Sequence, residues 1–475
     1  MAHEFHSSIL RNYDIRGIID ETLGNQDAYF IGRSMAVFLH NRGEQKVVVA
    51  CDGRISSPVL KQNLIKGLTD SGMIVTDIGL GPTPMLYFGI YHLKSDAGIM
   101  ITGSHNPANH NGFKMMLKDR PFYGDDILKL GEIAKKDEFI NASGKLHHKN
   151  IMDDYIDRLL EDSCLASGSE FLDEIDDFLD DESTLPKIAW DAGNGATGEV
   201  MKKISERIKS KDFLLYEEID GTFPNHHPDP TVPKNLEDLK RTVLENNCNL
   251  GIAFDGDGDR IGVIDDEGEI IWGDQLMVFF ARDVLQEYPG STIIADVKAS
   301  NVLFDEIKKA GGVPLMWKTG HSLIKAKMKE INSPLAGEMS GHIFFADKYY
   351  GYDDALYAAV RIINIVIAGK VPLSELRKSL PKTFSTPEIR IECSEEEKFT
   401  LVEKIKKELQ KENADFNDVD GVRVNTIDGW WLLRASNTQA VLVARCEGKS
   451  EISLETLKNN LKNKLESNGL KIPQN

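Results

Sequence analysis

Ala97-Gly98-Ile99-Met100-Ile101-Thr102-Gly103-Ser104-His105-Asn106-Pro107 reads as a short apolar strand that runs into a polar turn. An apolar run of this length, closed by Gly and Pro, is the signature of a strand covered on both faces, as in α/β folds. The pattern recurs: Leu250-Gly251-Ile252-Ala253-Phe254 runs into Asp255, and Pro334-Leu335-Ala336 runs into Gly337. Each of these lies about 40 to 65 residues beyond another apolar strand that ends at an aspartate: Val48 to Asp52, Ile188 to Asp191 and Ile293 to Asp296. Amphipathic stretches such as Pro58 to Ser71 and Asn235 to Asn246 supply helices between them. The repetition predicts three similar α/β units with mixed or parallel sheets. Ligands of such sheets gather at the carboxyl ends of strands, where all three polar loops lie, so one shared cleft is expected.

After Pro381 the pattern changes to a helix over Val402 to Glu412, a hairpin from Val422 to Thr426 and Trp430 to Leu433, and a closing helix over Ser453 to Leu465. This is a smaller α+β unit, and the stretch Lys382 to Pro387 that joins it is expected to act as a hinge. The expected divisions are 1–155, 156–269, 270–383 and 384–475. Between the first two units, the acidic stretch Glu170 to Glu182 keeps Phe171, Leu172, Ile175, Phe178 and Leu179 at helical spacing, which predicts a solvated amphipathic helix.

Bulk properties agree with several domains: 475 residues exceed one ordinary core, and 41% hydrophobic with 28% charged residues is a globular composition. No run approaches the roughly 20 apolar residues needed to span a bilayer, and the first residues carry no signal pattern, so a cytoplasmic protein without membrane association is expected. Cys51, Cys164, Cys248, Cys393 and Cys446 are scattered and lack Cys-x-x-Cys spacing, as reduced structural cysteines would be. A net charge of −19 argues against nucleic-acid binding and would repel an anionic substrate at long range. Any phosphate site therefore needs a local cluster of cations.

Two loops carry the central chemistry. Ser104 sits where a strand gives way to a turn, beside Gly103 for close backbone approach and His105 and Asn106 as hydrogen-bonding groups. Asp255-Gly256-Asp257-Gly258-Asp259-Arg260 places three carboxylates at alternate positions, which repel one another unless a divalent cation sits among them. A calcium loop of the EF-hand type needs glycine where Arg260 stands, and arginine suits a phosphate ligand better. Together they read as a metal-assisted nucleophile that accepts a phosphoryl group. In Gly337-Glu338-Met339-Ser340-Gly341-His342, an extended segment would let Glu338 and Ser340 face one way and bind adjacent sugar hydroxyls. Arg434-Ala435-Ser436-Asn437-Thr438 gathers the donors that a phosphate needs.

These four loops, in this order, resemble those of the α-D-phosphohexomutase superfamily, most closely its bacterial phosphomannomutase/phosphoglucomutase branch. The likeness extends over nearly the whole chain. It includes Tyr13-Asp14-Ile15-Arg16-Gly17, Asp52-Gly53-Arg54, Asn111-Gly112-Phe113-Lys114, Asp191-Ala192-Gly193-Asn194-Gly195, the segment Phe223 to Pro230 and Lys318-Thr319-Gly320-His321-Ser322. The resemblance implies that Ser104 is the residue phosphorylated in the active enzyme, and that Asp255, Asp257 and Asp259 hold Mg²⁺ with a phosphoserine oxygen. It implies that Glu338 and Ser340 take the sugar hydroxyls, and that Arg434, Ser436, Asn437 and Thr438 take phosphate. Tyr13, Arg16, Lys114, Arg260, Lys298, His321 and His342 match positions lining the reaction site.

The implied reaction interconverts hexose 1-phosphate and hexose 6-phosphate, of mannose or glucose, through phosphorylated Ser104 and a bound hexose 1,6-bisphosphate that also serves as activator. Lys114 and His342 are the candidates for proton transfer, with His321 behind them. The partners expected are small sugar phosphates, for a monomer or weak homodimer. Cys51 and Ala440 depart from the family's usual arginine and proline, and the region from Ser163 to Leu185 fits it poorly. Within the family, phosphoglucosamine mutase is the rival, with Met339 and Ser436-Asn437-Thr438 arguing against it; a phosphoserine-type sugar phosphatase is a rival outside it.

Overall fold

The computed structural model describes residues 2–166, 169, 172, 185–394, 396–437 and 439–470. Apart from Leu172, the stretch Glu170 to Glu182 lies outside these residues. Four sheets follow one another along the chain. In the first three, a strand ending at or beside an aspartate lies parallel to the strand that leads into a functional loop. Lys46–Cys51 pairs this way with Ala97–Ile101, Lys187–Asp191 with Leu250–Phe254, and Thr292–Asp296 with Leu335–Gly337. Each loop-leading strand is then answered by an antiparallel strand, His110–Leu117, Ile261–Asp265 or Ile343–Phe345. Every one of the three loops is thus the turn of a hairpin at the carboxyl end of a central strand, and the sheets are mixed. Full burial of Ala97–Ile101 and Leu250–Phe254 explains why both read as unbroken apolar runs.

The expected helices are present: Ser57–Thr69 follows the first aspartate-ended strand, and a short 3₁₀ turn, Pro233–Leu236, leads into Glu237–Asn246. The last sheet is wholly antiparallel, with Gly429–Ala435 between Val422–Thr426 and Val441–Gly448, and is packed by helices Glu397–Lys411 and Glu451–Glu466.

Core packing separates this last unit from the rest. One continuous apolar cluster runs from Val48 through Trp190 and Phe254 to Leu373, joining the first three units. The fourth has its own core around Trp431, Leu433 and Leu461. Across the junction the contacts are largely polar: Arg423 donates to the carbonyls of Val297 and Ala299 at 2.6 and 2.7 Å, and Glu447 accepts from the Asn301 amide at 3.1 Å. A small apolar contact of Val297 with Trp430 and Leu432 completes it. Among the described residues no helix is long and apolar enough to cross a membrane.

Candidate active site

Ser104 is 1% exposed and takes a left-handed backbone, φ 48°, which places its side chain off the strand axis. The turn is held from below. Arg54, also 1% exposed, donates to four carbonyl oxygens of the loop: Ser104 and Asn106 at 2.6 Å, Pro107 at 2.6 Å and His110 at 2.9 Å. Asp52 accepts from the Gly103 amide at 3.2 Å and from Ser57 Oγ at 2.5 Å. Only glycine fits on either side of this clamp: a Cβ on Gly103 would stand 2.4 Å from Arg54 Cζ, and one on Gly256 2.5 Å from the Ser104 carbonyl.

The Gly256 approach brings the second loop against the first. Asp255 uses one oxygen, Oδ1, to accept the amides of Gly258, Asp259 and Arg260, and turns Oδ2 to Ser104 Oγ at 2.9 Å. Asp257 Oδ2 accepts from Thr83 Oγ1 at 2.5 Å and from Lys114 Nζ at 2.7 Å; Lys114 also donates to Asp259 Oδ2. The three carboxylates are fully buried, with one oxygen of each within 4.8 Å of the others. Burial, then repulsion from Asp259 and Asp257, pushes the Asp255 carboxyl well above its usual range. Asp257 Oδ1 and Asp259 Oδ1 are buried without a hydrogen-bond partner. Surplus buried negative charge and orphaned oxygens beside Ser104 are what a divalent cation with oxygen ligands would satisfy, so the donor set fits such an ion.

Cations border the triad. Burial opposes the charge of Lys114, but Asp257 and Asp259 outweigh it and raise its pKa. Arg16 donates to Asp14 at 2.6 Å and to the Gly103 carbonyl at 3.4 Å. His105 Nδ1 lies 3.0 Å from Ser104 Oγ, and burial followed by repulsion from Arg260 and Arg16 keeps this ring neutral. Arg260 Nε donates to His342 Nε2 at 3.0 Å, and His321 stacks on His342 with ring centroids 5.5 Å apart.

A cleft of about 610 Å³ continues from there, lined by Arg16, Arg260, Lys298, Glu338, Ser340 and Arg434 among others. Glu338 and Ser340 do face together, since Ser340 Oγ donates to Glu338 Oε2 at 3.1 Å. They do so differently from the expectation: the segment is a turn closed by the Gly341 amide on the Glu338 carbonyl at 3.0 Å, not an extended strand. The return strand Ile343–Phe345 follows too soon for residues 338–342 to stay extended.

The fourth loop closes the cleft. Asn437 Nδ2 donates to Tyr13 Oη at 2.5 Å, and Tyr13 donates to the Thr319 carbonyl at 2.9 Å. Arg434 donates to Asp420 Oδ2 at 2.8 Å, and the same carboxylate accepts the Thr319 amide at 3.1 Å. Ser436 lines the cleft; Thr438 lies outside the described residues. Lys298 donates to Glu388 Oε1 at 2.7 Å, linking the third and fourth units.

Lys298 holds the Glu388 carboxyl at about 2, against the upward push of burial. A depressed acid stabilises the fold above its unfolded pKa and loses that contribution as pH falls towards its folded pKa. Glu388→Gln is therefore expected to lower the melting temperature at pH 7, with a deficit that narrows as the pH falls below about 4; calorimetry of both proteins across that range checks it.

Several contacts have no counterpart in the sequence reading. Thr83 on Asp257, Asp420 under Arg434, Glu388 on Lys298 and Asp353 beside His342 come from segments without a recognisable motif. Arg54 lies within a quoted segment, yet a spacing rule gives no sign that it spans four carbonyls.

Family profiles match the chain in four consecutive pieces, described as phosphoglucomutase/phosphomannomutase alpha/beta/alpha domain I at residues 7–141, domain II at 169–268, domain III at 272–384 and the C-terminal domain at 388–464. A phosphomannomutase/phosphoglucomutase of Pseudomonas putida is 42% identical over 451 residues, 95% of this chain and 94% of its own length. A phosphoglucomutase of Neisseria gonorrhoeae is 40% identical over 464 residues, 97% of both chains. A crystal structure of a phosphoglucomutase/phosphomannomutase family protein from Burkholderia thailandensis superposes with a TM-score of 0.90 at 37% identity, covering 99% of this chain and 100% of that one.

Proposed function

Because this chain belongs to the phosphoglucomutase/phosphomannomutase family of the α-D-phosphohexomutase superfamily, we propose that it interconverts the 1- and 6-phosphates of glucose and mannose. The observation that carries the reading is Ser104 Oγ at 2.9 Å from Asp255, with the neighbouring His105 lining a cleft whose walls also hold Glu338, Ser340 and Arg434.

In this proposal phosphorylated Ser104 gives its phosphoryl group to the free hydroxyl of a hexose phosphate: the Oγ–P bond breaks, the hydroxyl oxygen–P bond forms, and the hydroxyl proton leaves. The bound 1,6-bisphosphate then turns end for end, and its other phosphate returns to Ser104. Added hexose 1,6-bisphosphate would prime the unphosphorylated enzyme. Asp255, Asp257 and Asp259 would hold Mg²⁺, which supplies charge neutralisation to the transferring phosphoryl group when bound. Arg16 and Arg260 add fixed positive charge at the same end. Lys114 and His342 flank the triad and are the groups able to exchange the hydroxyl's proton.

Arg434 with Ser436, Asn437 and Thr438 would grip the phosphate that is not reacting, aided by Tyr13 and Lys298. Glu338 and Ser340 would take the sugar hydroxyls O3 and O4, which exchange places when the intermediate turns. Mannose and glucose differ at C2 only, so contacts at O3 and O4 accept both. The separate core of the last unit supports its role as a lid that retains the intermediate. We take the units to divide at 1–155, 156–269, 270–383 and 384–475. The partners are then small sugar phosphates, not nucleic acid or membrane, for a cytoplasmic monomer or weak homodimer.

A coupled assay with glucose 1-phosphate and mannose 1-phosphate, primed by glucose 1,6-bisphosphate in Mg²⁺, tests this. Comparable kcat/KM for both sugars is expected. Turnover of glucosamine phosphate alone would overturn the substrate assignment, and release of inorganic phosphate in place of isomer would overturn the mutase reading. Chelation is expected to abolish turnover, with recovery on adding Mg²⁺.

A further inference from the structure

The face that the fourth unit turns to the cleft carries a guanidinium that no motif announces. Strand Ile389–Glu392 pairs antiparallel with Val441–Gly448, which in turn pairs antiparallel with Gly429–Ala435. The register sets Arg390 opposite Val443 and Val443 opposite Arg434. Residues directly opposite in antiparallel strands point to the same side, so these three side chains form one row. Their neighbours along each strand show which side it is. Ile391, Leu442, Ala444, Leu433 and Ala435 pack in the unit's own core, so the row faces away from that core, and all three of its members line the cleft.

The two arginines of the row are held differently. Arg434 is buried, and its Nε donates to Asp420 at 2.8 Å. Arg390 is exposed, and among the described residues it forms no ion pair; Glu388, two residues back, is held by Lys298 at 2.7 Å. The hydrogen bond that Arg390 does make is from Nη1 to Gln439 Oε1 at 2.8 Å. Gln439 also lines the cleft, and its amide donates to Ser436 Oγ at 3.2 Å. The guanidinium therefore stands beside the loop that offers Ser436 and Asn437. One strand lies between Arg390 and Arg434, a separation of roughly 10 Å at the backbone, which two arginine side chains can span to converge on one dianion. A guanidinium has five N–H donors, so the bond to Gln439 leaves Arg390 the pair that a phosphate needs.

We propose that Arg390 is a substrate-binding residue: it contacts the phosphate that is not reacting, from the side opposite Arg434, and so helps the fourth unit keep the bisphosphate while it turns. An unpaired guanidinium breaks no ion pair when it meets a phosphate, which suits a contact that must form and release in every cycle. The identity of the ligand as a sugar phosphate rests on the mutase reading above; the row of Arg390, Val443 and Arg434 does not.

The test is Arg390→Met, which keeps much of the apolar stem and removes the charge and the donors. Strand pairing runs through main-chain groups, so the melting temperature is expected to hold. In the coupled assay, KM for glucose 1-phosphate is expected to rise about 10-fold, as the loss of one charge-assisted hydrogen bond does, with kcat nearly unchanged at saturating glucose 1,6-bisphosphate. More of that bisphosphate is expected to be needed for half-maximal rate. Arg390→Lys should fall between the wild type and Arg390→Met, because an ammonium keeps the charge and loses the fork. An unchanged KM in Arg390→Met, or a loss confined to kcat, would overturn the proposal.

Bracing of the phosphate loop through Gln439 is the structural alternative. Gln439→Ala removes that contact and leaves Arg390 in place, so it is expected to cost less than Arg390→Met; an equal cost in KM would mean that Arg390 acts through the loop and not on the phosphate. Calorimetry of glucose 1-phosphate binding to the unphosphorylated full chain adds a readout that a brace would not move. The affinity gap between wild type and Arg390→Met is expected to narrow from about 0.02 M to about 0.5 M NaCl, because salt screens an exposed charge. A gap indifferent to salt would overturn the direct contact. Binding of glucose 1-phosphate by the wild type without isomer formation would defeat the mutase reading alone, and wild-type turnover with an unaltered Arg390→Met would defeat this proposal alone.

Discussion

Ser104→Ala is expected to eliminate the phosphoenzyme and to lower turnover by a factor on the order of 10⁴ or more, as removal of a nucleophile does in enzymes that work through covalent intermediates. Among the described residues, the other hydroxyl hydrogen-bonded to the carboxylate triad is that of Thr83, which is fully buried with its Oγ1 committed to Asp257 at 2.5 Å. Nor should the change disturb the fold. Alanine bears the left-handed φ of 48° at a cost similar to that of serine, and the Arg54 clamp acts on main-chain oxygens that alanine retains. Intact-mass spectrometry after incubation with hexose 1,6-bisphosphate, together with the coupled assay, checks both halves. A variant that gained a phosphoryl group elsewhere and kept wild-type turnover would remove Ser104 from the mechanism.

The second large effect is expected at Arg54. Its guanidinium joins Ser104, Asn106, Pro107 and His110 through their carbonyls and stands 3.3 Å from Asp52. Arg54→Met would strand those acceptors and leave Asp52 buried without its cation, a loss of about 3 to 5 kcal/mol for a broken buried pair. The serine turn would also lose its position, which costs about 100-fold in kcat when a reacting group shifts by an ångström. Arg54→Lys should rescue little, because one ammonium cannot span four oxygens that a planar fork reaches. Calorimetry should show the first melting transition moving down in both variants. Normal melting together with normal kcat in Arg54→Met would mean that the turn holds itself.

Much of this arrangement is legible in the chain because it depends on local pattern. Apolar runs such as Ala97–Ile101 and Leu250–Phe254 declare strands covered on both faces, since a one-sided strand would alternate. The alternation of Asp255, Asp257 and Asp259 declares a charge problem that needs a cation. The reading of Glu338 to Ser340 as extended failed for a topological reason: the next strand must double back after five residues, and a chain that reverses so quickly has to turn.

What spacing cannot reveal is pairing between distant segments. Lys114 and Asp259 are both quoted in motifs, yet their contact follows from two sheets meeting at the serine loop, where Gly256 allows the backbones to approach. Asp353 and Asp420 belong to no motif; burial gives them their importance, since a carboxylate in contact with a positively charged side chain away from water is strongly oriented. The polar junction of the last unit, with a core of its own, is likewise a property of how surfaces meet.

The sequence by itself determined the strands, the loops at their ends and the residue types each loop offers, because hydrophobic periodicity and local charge are written along the chain. Only the tertiary structure decided which oxygen of Asp255 faces Ser104, which nitrogen of His342 faces Arg260, and which carboxylate meets Arg16 and Arg434. Those choices follow from burial and direction, and a hydrogen bond acquires direction only when the fold has brought its two ends together.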